Sequence, residues 1–298
     1  MEHNYHVIAV EQILDNKEVL HHILLYGCDL IENMPKINDP QLCPGDTHPP
    51  NCDLIRAWDY GAPDYECFPE QFGIAIGKQS YTYFMVTVHY ENYDHVEGLF
   101  DSSGVTLYYT PRLRPHNGGL LIMGNRGFSL EPRRSRLTVE NYCAGYCTKR
   151  GFYGPIYIYS TNNHLHEFGR EIKLEHYRNG TLLNSIIHET DFTFFKHTSV
   201  INQKISVEVL PGDALLLKCI YDTTSTNKTT TYGWGPGREM CYSFITVYPK
   251  ENIEFQNMCF TYSNSSDCNM ENRATLGYKS KEIKIKHKTV KGTTNYKY

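Results

Sequence analysis

Tryptophan is scarce, with two residues in 298. Long apolar runs are missing: stretches such as Ala214-Leu215-Leu216-Leu217 are short, and none approaches the roughly 18 residues that span a bilayer. There is no excess of positive charge either. The formal net charge is −4, which argues against a nucleic-acid binder carrying a global basic field. Met1-Glu2-His3-Asn4-Tyr5-His6 has neither the basic start nor the apolar stretch of a signal peptide. No long stretch keeps a 3.6-residue apolar period, and no internal repeat is visible. What is present is ordinary for a globular chain. With 40% hydrophobic and 21% charged residues, wholesale disorder is excluded, and the length suits one large or two ordinary domains.

Cysteine and tyrosine are the abundant exceptions, at 10 and 24 residues. An even cysteine count, together with N-x-[ST] acceptors at Asn179, Asn227 and Asn264, points to an oxidising, secretory-pathway compartment. Set against the missing signal peptide, this gives the expectation that the start of the protein lies upstream of Met1.

Strand signals dominate the chain. Tyr81 to Tyr90 is rich in aromatic and β-branched residues, and Val105–Thr110, Ile156–Ser160, Glu171–His176, Ile205–Val209 and Ala214–Tyr221 read the same way. Turn residues at Asp101-Ser-Ser-Gly, Asn117-Gly-Gly, Asn179-Gly and Pro211-Gly-Asp separate them. Many short strands with frequent turns imply an all-β fold of two sandwiches. The join is expected near 124–137, where four arginines and two glycines interrupt the apolar pattern. This gives an N-terminal domain over 1–128, a second over 129–270 and a tail over 271–298. From Lys279 onward the tail holds seven lysines and one acid, the composition of a solvated segment.

The candidate chemistry lies in histidines and one methionine. His21 and His22 stand in apolar surroundings, where two buried imidazoles need partners for their ring nitrogens. A metal satisfies both, and so would polar neighbours in a core. Adjacent strand residues point to opposite faces, so joint ligation requires a twist or a sheet edge. His89 closes the strongest strand signal and is unremarkable alone. His164 and His166 are i and i+2, on one face of a strand, where two imidazoles can converge on an ion. Met240 follows a glycine-rich run and is either core filler or a soft ligand. Two imidazoles and a thioether would favour copper, especially Cu(I). His21, His22 and His89 would form an all-nitrogen set that suits copper or zinc. The other histidines, including His48, His95, His116, His176, His188 and His197, read as ordinary.

Eight segments in order then resemble a known family, the copper type II ascorbate-dependent monooxygenases. They are Leu20-His-His-Ile-Leu-Leu-Tyr-Gly-Cys28, Ala57-Trp58 with Gly61, Val88-His-Tyr-Glu-Asn92, and Asp101-Ser-Ser-Gly-Val-Thr-Leu-Tyr-Tyr-Thr110. Tyr142-Cys-x-x-x-Cys147, His164-x-His166, Pro211-Gly-Asp213 and Glu239-Met-Cys241 complete the set. The likeness covers about residues 5 to 270 and is nearest the dopamine β-hydroxylase and monooxygenase-X branch. It implies two β-sandwich domains with one copper each, facing across a cleft. His21, His22 and His89 would hold an electron-transfer copper, and His164, His166 and Met240 an oxygen-binding, catalytic one. One atom of O2 would enter a C–H bond and the other leave as water, with ascorbate supplying two electrons. The same pattern implies disulfides Cys28–Cys52, Cys143–Cys259, Cys147–Cys268 and Cys219–Cys241. Cys43 and Cys67 are left over: the resemblance puts the partner of Cys43 upstream of this chain, and either Cys67 takes its place or both are free.

The sequence departs from the family in three places. Peptide-hydroxylating members hold a carboxylate with residues that correspond to Asn162, Tyr242 and Phe244 here, so that clamp is absent. Amine-hydroxylating members carry an acid shortly after the histidine pair, where this chain has Ile23, Leu24 and Leu25. Family members also begin well before the histidine pair. The resulting expectation is a secreted or vesicular monooxygenase with two coppers per chain, acting on a small, aromatic or phenylethylamine-like substrate. No nucleic-acid partner is expected, and membrane association only through segments outside this chain. The alternative is a non-catalytic copper-binding or recognition protein of the same fold.

Overall fold

The computed structural model describes residues 3–29, 42, 51–59, 62–92, 94–193, 206–234, 237–254 and 258–261. Strands form where β-branched and aromatic side chains alternate or run together. The first half carries β1 (Asn4–Ile13), β2 (Leu20–Cys28), β3 (Cys52–Asp59), β4 (Tyr65–Cys67), β5 (Phe72–Gly77), β6 (Tyr83–Tyr90), β7 (Gly104–Thr110) and β8 (His116–Asn117). The second carries β9 (Gly119–Asn125), β10 (Ser129–Leu130), β11 (Leu137–Cys143), helix α1 (Gly145–Gly151), β12 (Ile156–His164), β13 (Gly169–Arg178) and β14 (Thr181–Glu189). It continues with β15 (Val207–Val209), β16 (Ala214–Tyr221), β17 (Thr230–Thr231), β18 (Tyr242–Tyr248), a single 3-10 turn (Lys250–Asn252) and β19 (Met258–Thr261). Five of the six strands expected from composition lie within or over these bounds. The sixth, 205–209, starts at Val207 among the described residues.

Each half is a pair of sheets over one core. In the first, β4-β1-β5-β8, with β7 also on β1, faces β3-β2-β6. Val7, Val10, Leu25, Ile55, Phe72 and Ile74 from both sheets interlock between them. In the second, β11-β16-β13-β14 faces β15-β12-β18-β9-β19, with Leu121, Ile156, Ile172, Leu174, Leu215 and Ile245 fully enclosed. Burying such a side chain stabilises by about 1.5–3 kcal/mol each, so these interiors define the halves. β9 precedes the expected join at 128, yet it hydrogen-bonds to β18 and β19, both well after it. The tail over 271–298 lies outside the described residues.

Disulfides staple both halves. Cys28–Cys52 joins β2 to β3, Cys143–Cys259 links the two sheets of the second half, and Cys219–Cys241 ties β16 to the residue before β18. Cys147 is also disulfide-bonded, but its expected partner Cys268 lies outside the described residues, as does Cys43. Cys67 carries a free, exposed thiol, which sets aside a Cys43–Cys67 pair. Asn179 is exposed in the β13–β14 turn at φ 51°, followed by Gly180 at φ 77°, as an Asn-Gly hairpin turn requires. Asn227 is exposed as well, and Asn264 lies outside the described residues.

The halves touch. Phe72 of the first stacks on Tyr248 of the second at 5.0 Å between ring centres and meets Tyr159 edge-on at 5.3 Å. Lys250 Nζ reaches Asp53 Oδ2 across the same interface at 2.6 Å.

Candidate metal centre

The first histidine set depends on an irregularity in β2. A regular strand would send His21 and His22 to opposite faces. Against β6, however, Leu20 pairs with Tyr90 and His22 with His89, so His21 is an extra residue. Such a bulge locally bends the strand and re-aims side chains. It brings both histidines to one side with His89. Their Nδ1 atoms form a triangle with edges of 3.0, 3.2 and 3.4 Å. The centre of that triangle is about 1.9 Å from each nitrogen, close to the ~2.0–2.1 Å of a metal–imidazole bond. Three mutually facing ring nitrogens cannot all be satisfied by straight hydrogen bonds to one another, whereas one cation can accept all three lone pairs. The residues present therefore fit a metal ion.

Burial disfavours the protonated forms of His21 and His22. Burial, then the neighbouring His21, His89 and His164, push His22 down to about 3. Burial lowers His21 as well, partly opposed by Glu91, whose Oε1 is 3.6 Å from its Nδ1. Neutral imidazole is the ligating form, so protons compete poorly here.

The second set is built differently. His164 ends β12, and His166 falls just beyond the strand, after fully buried Leu165. Their rings stand edge to face with centres 5.0 Å apart. Each ring is anchored through Nδ1, which donates to Asp59 Oδ2 at 2.8 Å in His164 and to the Arg238 carbonyl at 2.9 Å in His166. A neutral imidazole protonated at Nδ1 carries its lone pair on Nε2, which makes Nε2 the candidate ligand atom in both.

Met240 is 1% exposed, in a cluster with Ile122, Tyr242 and Phe260. Its backbone is fixed from several directions. Tyr221 donates its hydroxyl to the Met240 carbonyl at 2.6 Å, and the next residue, Cys241, is bonded to Cys219. The Glu239 carboxylate, fully buried, accepts the N–H groups of His166 (2.9 Å), Phe168 (2.7 Å) and Met240 (3.2 Å). One carboxylate thus gathers the backbone of a histidine and of the methionine. Burial pushes it up to about 7, even though these three donors favour its charge. The sequence motif contained Glu239 but gave it no role, because nothing local reveals contacts across more than 70 residues.

The three first-set histidines converge directly. The rings of His164 and His166 stand together, and Glu239 ties the backbone of Met240 to that of His166. The positions that differ from the family have local explanations. Ile23 and Leu25 are core residues at 1% and 2% exposure. Asn162 donates to the Ala57 carbonyl at 3.0 Å, and the Tyr242 hydroxyl is bonded to Tyr232 and Arg126. A cavity of about 30 Å3 lies between the halves, lined by Arg56, Ala57, Glu66, Ser160, Asn162 and Phe244 among others. That is room for about one or two water molecules. Along this edge the halves are in contact.

Sequence models of the N-terminal and C-terminal domains of the copper type II ascorbate-dependent monooxygenases match residues 1–97 and 116–272. Among curated relatives, DBH-like monooxygenase protein 1 of Gallus gallus is 30% identical over 84% of this chain and 42% of its own length. Dopamine beta-hydroxylase of Homo sapiens is 29% identical over 84% of this chain and 42% of its own. MOXD1 homolog 1 of Drosophila melanogaster is 31% identical over 82% and 38%. The chain spans about two-fifths of the length of these relatives.

Proposed function

This chain belongs to the copper type II ascorbate-dependent monooxygenase family, and on that premise we propose that it is a monooxygenase using two coppers per chain. The observation that carries this reading is the Nδ1 triangle of His21, His22 and His89. In the proposal these three hold one copper, and His164, His166 and Met240 hold the other. Copper so bound supplies the one-electron and O2 chemistry that side chains lack. The thioether of Met240 would favour copper held there as Cu(I). The protein's part is positioning. The bulge in β2 aims His21 and His22, Asp59 and the Arg238 carbonyl fix the rings of the second set, and Glu239 fixes the loops carrying it.

The substrate we propose is small and aromatic, with phenylethylamine-like compounds ahead of peptides, because Asn162, Tyr242 and Phe244 replace the peptide-carboxylate clamp. Ascorbate serves as reductant. The disulfides favour an oxidising, secretory compartment, and exposed Asn179 and Asn227 are accessible for glycosylation. The test is O2 consumption by the copper-loaded chain with ascorbate and a panel of phenylethylamines, uncharged aromatics and glycine-terminated peptides. Stimulation by the aromatic compounds is expected. Copper uptake with no substrate-stimulated consumption would overturn catalysis in favour of a copper-binding role.

A further inference from the structure

Two side-chain contacts join β3 and β12 across the interface. Asn162 donates to the Ala57 carbonyl, and two residues further along both strands His164 donates to Asp59. Both pairs are separated by 105 residues, so the two contacts step together along the two strands. Nearer the start of β12, Ser160 Oγ donates to Glu66 Oε1 at 3.2 Å, extending the seam. At its far end, Asp59 is also the residue opposite His22 in the β2–β3 ladder. Its carboxylate therefore stands between the two histidine sets, with side-chain exposures of 13% for Asp59 and 12% for His164.

The two rings of the second set are held by unlike partners. His166 is anchored within its own half, by a backbone carbonyl that no substitution removes. The anchor of His164 is a side chain from the other half. A carboxylate on the far nitrogen of a ligating imidazole fixes its tautomer and ring plane and raises its basicity.

We propose that Asp59 is a positioning residue for the second metal set, supplied across the interface, which makes the geometry of His164 depend on the first half. The inference rests on reading His164, His166 and Met240 as a metal set. It ties that set to the seam between the halves: where β3 and β12 part, the His164 ring loses its anchor, and where they meet, Nε2 is presented in one orientation.

The test combines two readouts on the full chain. Cu(I) is titrated against a competing chelator in wild type, Asp59→Ala and Asp59→Asn, the phases being assigned by their loss in His22→Ala or His164→Ala. In the copper-free proteins, ring-nitrogen NMR of His164 reports which nitrogen holds the proton. Asp59→Ala should weaken the second-set phase by about 10–100-fold, leave the first-set phase in place and release the His164 tautomer into a mixture. Asp59→Asn, whose carbonyl still accepts the Nδ1–H, should restore the tautomer and most of the affinity. Wild-type affinity and tautomer in Asp59→Ala would overturn the role of Asp59 alone. So would an equal fall of both copper phases with a lowered melting temperature, the mark of a merely structural contact. No second-set phase in wild type would overturn the metal-set reading together with this inference.

Discussion

The two candidate sets solve one problem by different means. The first takes three histidines from two paired strands of a single sheet, and one extra residue in β2 makes them converge. All three of its histidines come from the first half. The second set takes a strand end, a turn and a residue more than 70 positions later, and holds them with a buried carboxylate, a disulfide and a carboxylate borrowed from the other half. Local geometry suffices for three nitrogens on adjacent strands. A softer, mixed set drawn from distant segments requires outer partners, and its integrity depends on more of the molecule.

The sharpest way to break this contrast is to remove ligands one set at a time. His22→Ala should abolish copper at the first set and spare the second, and His164→Ala should do the reverse. Each should lower ascorbate-driven turnover by more than about a hundredfold, beyond the loss expected from an outer partner. Elemental analysis and O2 consumption check both.

Glu239→Ala comes next. It leaves three backbone N–H groups unpaired in a buried place, each costing about 1–3 kcal/mol, so a loss of order 5 kcal/mol should appear in thermal unfolding. Glu239→Gln should cost less. The disulfides give a finer comparison. Cys28–Cys52 and Cys219–Cys241 span 24 and 22 residues, so removing either by paired serine substitutions should cost about 3 kcal/mol in denaturant unfolding. Only loss of Cys219–Cys241 should also weaken copper at the set containing Met240.

The smallest effect expected is the pH dependence of the copper-free chain, because the two regions oppose each other. His22 is depressed to about 3 from an ordinary 6.5, chiefly by burial. Its stabilising contribution is complete above pH 6.5 and is lost as pH falls toward 3. Glu239 is raised to about 7 from an ordinary 4.5, again by burial. Its contribution is present below pH 4.5 and is lost as pH rises through 7. Between pH 5 and 7 each contribution changes by about 2 kcal/mol in opposite senses, so the net change should be only a few tenths of a kcal/mol. In Glu239→Gln the decline toward pH 8 should vanish, and in His22→Ala the decline toward acid should shrink.

Much of this was legible in the sequence, for reasons that can be named. Ala214–Tyr221 is a largely apolar run interrupted only by Lys218, and it became a strand with those bounds. The three histidines of the first set belong to adjacent strands, so motif order alone grouped them. The apparent obstacle, that His21 and His22 should face opposite ways, disappears in the bulge, which no residue type announces. The place of β9 was also hidden. Gly119–Asn125 is apolar on both faces, as a central strand would be in either half, and only its pairing with β18 and β19 assigns it. Glu239 and Asp59 were invisible as anchors because their partners lie 71–73 and 105 residues away. Spacing rules reach a few residues along a chain and do not reach across a sandwich.

The central claim is that two separately built copper sets exist on this chain. Copper content by elemental analysis, on copper-loaded protein with and without His22→Ala, tests it most directly. The account predicts two coppers in the wild type and one in the variant. One copper or none in the wild type, or a content that His22→Ala leaves unchanged, would contradict it.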